Sequence, residues 1–157
     1  MGNARTEGPT PTGKIAFVRG KFGGLRRKIE IMDADGRNLR PLTKTTEENA
    51  REDRPDWSPN GRQIALMSSK FGGAEVCVMH VNGYDMRNLT QHPGRDSEPT
   101  WSPDGTWLAF TRFHSSSPMN IFIMRSDGRG QLNLTNSQVV DNWAPSWRKQ
   151  GSEDQTR

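Results

Sequence analysis

The chain has 157 residues, a length that suits one domain, with 31% apolar residues and a net charge of +4. Acidic and basic side chains are interspersed, with no basic stripe carrying stacking aromatics, so nucleic acid is excluded as an expected partner. No apolar run approaches the ~18 residues that cross a bilayer as a helix, which excludes that mode of membrane insertion, and a single cysteine, Cys77, excludes an internal disulfide.

In chain order, residues 1–13 read as a flexible tail without the hydrophobic core of a signal peptide. As written, the chain is expected to stay where it is made, cytoplasmic by default. A first unit then runs from 14 to 43. It carries the apolar runs Ile15-Ala16-Phe17 and Ile29-Glu30-Ile31-Met32, the turn Asp33-Ala34-Asp35-Gly36, and Leu42-Thr43. That turn resembles the opening of a calcium loop, but the twelfth position is Lys44 where an acidic ligand is needed, so it reads as a strand connection.

The second unit, 55–90, opens on Pro55-Asp56-Trp57-Ser58-Pro59-Asn60-Gly61. It continues through Ile64-Ala65-Leu66 and Val76-Cys77-Val78-Met79 and closes on Asn88-Leu89-Thr90. The third, 99–135, repeats this wording: Pro99-Thr100-Trp101-Ser102-Pro103-Asp104-Gly105, Leu108-Ala109-Phe110, Ile121-Phe122-Ile123-Met124, Asn133-Leu134-Thr135. A lone opening phrase, Pro145-Ser146-Trp147, follows, and 149–157 reads as a second flexible tail. Trp57, Trp101 and Trp147 are spaced by 44 and 46 residues, a period expected of four-stranded propeller blades.

Each unit predicts four antiparallel strands. Ser-Pro-(Asp/Asn)-Gly is a turn in which Pro presets φ, the Asx side chain accepts from nearby backbone, and Gly tolerates positive φ. The third strand of each unit is apolar at nearly every position, so both of its faces must be covered. Blades stacked side by side meet that demand. Trp57 and Trp101 are predicted to fill the seams between them, and Cys77 to be a small buried hydrophobe.

The pattern P-x-W-S-P-(D/N)-G, a short Ile-Ala-Phe-type strand, an apolar strand ending in Met, then D/N-G and Leu-Thr, resembles the WD-40-like repeat of TolB-type β-propellers from Lys14 to Trp147. The expected fold is therefore all-β, with three propeller blades (about 14–43, 55–90 and 99–135) and an orphan strand at 144–147, together forming a domain over 14–148. The last phrase departs from the pattern, reading Trp147-Arg148-Lys149-Gln150-Gly151 without Ser-Pro-Asp. The resemblance implies six blades where this chain supplies three. Three outcomes stay open: a fragment of a larger propeller, a homodimer completing a six-bladed ring, or a half-propeller capped by something else.

Enzyme signatures are absent. No Gly-x-Ser-x-Gly elbow, P-loop or His-Glu-x-x-His occurs, and His80, His92 and His114 have no metal spacing. The chain is read as a non-enzyme without cofactor or metal. Long connections that vary between units are the expected binding surface. Candidate binding residues lie where those connections enter the inner strands: Asp53, Arg54, Asp96, Glu98, Asp141 and Asn142. The resemblance implies a scaffold that docks a protein or peptide, periplasmic and within the Tol-Pal system if the chain is part of a longer product. Two alternatives are an accessory propeller of a prolyl-oligopeptidase-like or tricorn-like peptidase, and a carbohydrate-binding propeller using Trp143 and Trp147.

Overall fold

A computed structural model describes residues 12–21, 24, 26–44 and 50–149, so nearly all of both expected tails lies outside the described residues. Gly13, assigned to the tail by sequence, already accepts a hydrogen bond from Ala34 N at 3.0 Å.

The described residues form three antiparallel sheets. The first contains β1 (Lys14–Gly20), β2 (Arg27–Asp33) and β3 (Arg40–Pro41). The second contains β4 (Glu52–Trp57), β5 (Gln63–Ser68), β6 (Glu75–His80) and β7 (Arg87–Asn88). The third contains β8 (Arg95–Trp101), β9 (Trp107–His114), β10 (Ser117–Arg125) and β11 (Leu132–Asn133). Each sheet is a meander in chain order, and together the sheets make three blades of a partial propeller.

Local chemistry explains the repeat. In the second blade, Gln63 N donates to Ser58 Oγ at 2.9 Å and Gly61 N to Ser58 O at 2.8 Å; in the third, Trp107 N and Gly105 N bond Ser102 in the same way, both at 2.9 Å. The Ser of the opening phrase thus closes the hairpin from both its hydroxyl and its carbonyl. The Thr of each Leu-Thr holds the outer edge: Ile29 N donates to Thr43 Oγ1 at 2.9 Å, Val76 N to Thr90 Oγ1 and Ile121 N to Thr135 Oγ1 at 3.1 Å each. Because β3, β7 and β11 have only two residues each, this side-chain bond adds a rung that the short ladder lacks.

The core consists of two seams. Ile29, Ile31 and Leu42 of the first blade meet Ile64, Leu66, Cys77 and Met79 of the second, with Trp57 packed alongside. On the other face of the second blade, Ala65, Val76, Val78 and Leu89 meet Trp101, Leu108, Phe110 and Met124 of the third. Alternate residues of β6 therefore serve opposite seams. Cys77 is buried, and that burial pushes its thiol up to about 12, with Glu75 and Glu52 adding to the shift.

Two boundaries differ from the sequence reading or extend it. The segment 144–147, expected as an orphan strand, enters no ladder among the described residues and is tied to the third blade by Trp147 Nε1 donating to Thr100 O at 3.2 Å. The inner strands also begin earlier than expected, at Glu52 and Arg95, whose backbones pair with Ser68 and Phe113.

Candidate binding rim at the inner strands

Two rims flank the blades. The turns Asp33–Gly36, Ser58–Gly61, His80–Gly83, Ser102–Gly105 and Arg125–Gly128 form one, each closed by a backbone bond of 2.8–2.9 Å from its Gly. Their backbone is committed to structure. The other rim carries the longer connections, and there each inner strand begins with a bulge.

The bulge aligns three equivalent residues. Pairing is interrupted between Asp53 and Asp56 in β4 and between Ser97 and Thr100 in β8. Arg54 and Glu98, inside these interruptions, both have φ of 56°, and Ala144, at the same place in the third opening phrase, has φ of 55°. None is glycine, and left-handed backbone costs an ordinary residue about 1 kcal/mol or more. The bulge re-aims their side chains out of the ladder. Arg54 Nη2 lies 3.6 Å from Glu98 Oε1, and Glu98 Oε2 accepts from Ala144 N at 2.8 Å and Thr111 Oγ1 at 2.9 Å. Arg54, Glu98 and Ala144 thus form a linked row running from blade to blade.

The six candidate residues separate by burial. Asp96 has no exposed surface and receives Arg112 in a fork, Nε to Oδ1 at 2.7 Å and Nη2 to Oδ2 at 2.8 Å. Arg112 Nη2 also donates to Gln131 Oε1 at 2.8 Å, and its guanidinium stands 4.6 Å from the Phe122 ring centroid. Asp53 is buried against Arg27 Nη1 at 2.5 Å, with Arg51 Nη2 at 3.8 Å. These two carboxylates act as fixed posts under the rim. Arg54 and Asp141 are exposed, Asn142 is half-buried, and Glu98 is largely covered. Asp141 Oδ1 accepts from Met119 N at 2.8 Å, and Asn142 N donates to Met119 O at 2.9 Å, so both tie the last connection to β10. Trp143 stands beside them, 60% exposed.

Sequence reasoning missed the cations that hold the posts: Arg27, Arg51 and Arg112. For Arg112 a signal existed, because pairing Trp101 with Leu108 and counting back through the bulge sets Asp96 opposite Arg112. It also treated the histidines as scattered, whereas the His92 and His114 rings approach to 6.3 Å. Burial, then the charge of Arg112, lowers the His92 pKa. Among the described residues, no three His, Cys, Asp or Glu side chains gather in a way that would hold a metal ion.

Comparison with known proteins agrees with this architecture. The profile of the family described as TolB beta propeller domain matches residues 10–153. The Tol-Pal system protein TolB of Geobacter sulfurreducens is 47% identical over 53 residues, which are 34% of this chain and 11% of that protein. Among solved structures, one described as a TolB from Agrobacterium tumefaciens superposes with a TM-score of 0.67 at 24% identity, over 83% of this chain and 50% of that one. A Mycobacterium tuberculosis puromycin-hydrolyzing peptidase shares the fold at 13% identity and a TM-score of 0.62, over 78% of this chain and 20% of the peptidase. The chain spans half the length of the Agrobacterium protein and far less of the Geobacter one. By its blades, its repeated opening phrase and this profile match, the chain belongs to the TolB β-propeller domain family.

Proposed function

We propose that the chain is a non-enzymatic scaffold that binds a protein or peptide across its long-loop rim. The observation that carries this reading is the row of Arg54, Glu98 and Ala144, each held in left-handed backbone at the same place in successive inner strands. Strained non-glycine positions repeated on one rim, above carboxylates already neutralised by arginine, make a pre-organised polar surface. Arg54 and Asp141 supply exposed charge of both signs, and Trp143 supplies an exposed aromatic anchor of the kind that dominates peptide interfaces. The relatives' name, Tol-Pal system protein, supports a partner from that system.

The test is calorimetry of the purified chain against purified Tol-Pal proteins of its own organism. Arg54→Glu and Trp143→Ala are each expected to weaken binding at least about tenfold, equivalent to about 1.4 kcal/mol. Asp127→Lys, on the tight-turn rim, should leave it unchanged. Equal binding by all three variants would move the partner off the long-loop rim.

A further inference from the structure

Buried carboxylates are kept when a cation pairs with them. Three in this chain are paired internally: Asp53 with Arg27, Asp96 with Arg112, and Glu30 with Arg19 and Lys28, the last two at 2.7 and 2.9 Å. Glu75, 4% exposed at the start of β6, differs from them. Its Oε2 accepts from the Thr90 hydroxyl, and among the described residues no ion pair reaches it and nothing donates to Oε1. Nor is Oε1 sealed from outside: the sealed side-chain atoms without a partner are Arg51 Nε, Trp57 Nε1 and Trp101 Nε1.

The repeat shows what leaves Glu75 open. Asn120 holds the same place in β10, since each precedes the residue whose N–H bonds the outer threonine, Val76 with Thr90 and Ile121 with Thr135. The connection after the third blade saturates Asn120. Its Oδ1 accepts from Thr135 Oγ1 at 2.8 Å and Ser137 N at 2.6 Å, and its Nδ2 donates to the Pro118 and Ser137 carbonyls at 3.0 and 3.2 Å. After the second blade, His92 stands where Ser137 does and makes no bond to Glu75; its Nδ1 accepts from Gly94 N at 2.8 Å. An open pocket of about 620 Å³ results, with Glu75 on one wall, His92 and Pro93 on another, and Phe71, 43% exposed, beside them. It lies at the junction of the second and third blades, in the interior of the arc.

We propose that this pocket takes one arginine side chain of a peptide docked on the long-loop rim, its guanidinium held by Glu75 and laid against Phe71. The inference rests on the reading of that rim as a peptide-binding surface and names one side chain that it selects. The chain already contains the arrangement: Arg112 forks onto Asp96 and stands 4.6 Å from the Phe122 ring centroid. The pocket supplies the carboxylate and the aromatic ring of that trio, with room for the third member. A guanidinium suits it better than an ammonium, because its planar donors match a carboxylate and its face stacks on an aromatic ring. An aliphatic side chain would bury Glu75 further without giving it a donor. His92 adds no opposing charge at neutral pH, because burial, then the charge of Arg112, lowers its pKa.

The experiment follows backbone amides of the 157-residue chain by NMR during titration with N-acetyl-arginine amide, a probe that needs no Tol-Pal partner. Saturable shifts should centre on residues 71–75 and 88–94. N-acetyl-citrulline amide, of similar shape without the charge, should bind at least about tenfold more weakly. Glu75→Gln keeps an oxygen for Thr90, removes the charge and should weaken the arginine probe by a similar factor; Phe71→Ala should weaken it several-fold. Arg54→Glu and Trp143→Ala should leave its affinity unchanged. Binding of the probe alongside a failed Tol-Pal titration would retire that partner and leave the pocket standing. Absence of saturable shifts at the pocket overturns the proposal. So does equal binding of the citrulline probe, a comparison made on the unaltered chain that holds even if Glu75→Gln fails to fold.

Discussion

The second blade and the third are written in nearly the same words, yet they are buried differently. β6 is buried from Glu75 to Met79, whereas Ile121, Phe122 and Ile123 of β10 stay half-exposed. Leu89 is 8% exposed and its repeat, Leu134, is 53% exposed. Burial in this fold belongs to the seam between blades and not to the blade, as expected of a repeat protein stabilised by nearest neighbours. The same substitution should therefore cost several-fold more in the middle than at the end.

Four experiments would break or sharpen that contrast. Trp101→Ala removes a side chain from the closed seam and should cost about 3–5 kcal/mol in urea unfolding, while Trp147→Ala should cost about 1 kcal/mol. Comparable losses at the two sites would erase the distinction. Asp96→Ala leaves the Arg112 guanidinium buried without its carboxylate and should also cost about 3–5 kcal/mol. Removing Asp141, an exposed carboxylate at the last connection, should stay within about 1 kcal/mol.

Gly83→Ala combines positive φ with a collision against the Leu42 carbonyl and should lower the melting temperature more than Gly36→Ala, which has the strain alone. The smallest effect concerns pH. Hydrogen bonds from Ser102 first, then from Thr106, hold the Asp104 carboxyl down to about 2, below its ordinary 3.8. A lowered carboxyl pKa stabilises the fold above the ordinary value and loses that contribution as pH falls toward about 2. Carbon NMR titration of Asp104 should show its midpoint near 2; Ser102→Ala should move the midpoint up toward 3.8.

Much of the fold was legible because turn chemistry and apolar runs report on local structure. Ser58 and Ser102 close hairpins where the opening phrase placed them, and Val76-Cys77-Val78-Met79 is covered on both faces as its unbroken apolar run required. The starts of the inner strands were hidden, since Glu52-Asp53-Arg54 and Arg95-Asp96-Ser97-Glu98 carry charge where a buried strand is expected to be apolar. Their burial depends on arginines distant in sequence: Arg27 for Asp53 and Arg112 for Asp96. For the same reason, the six candidate residues could not be sorted from sequence into posts and exposed groups. A bulge adds a residue without a compositional mark, so the row of Arg54, Glu98 and Ala144 was invisible until backbone angles were known.

Native-state hydrogen exchange tests the nearest-neighbour account most directly. Amides of β5 and β6, enclosed by a blade on each side, should exchange slowest, and more slowly than those of β10. Exchange in β10 as slow as in β6 would contradict the claim that the seams, and not the blades, carry the stability.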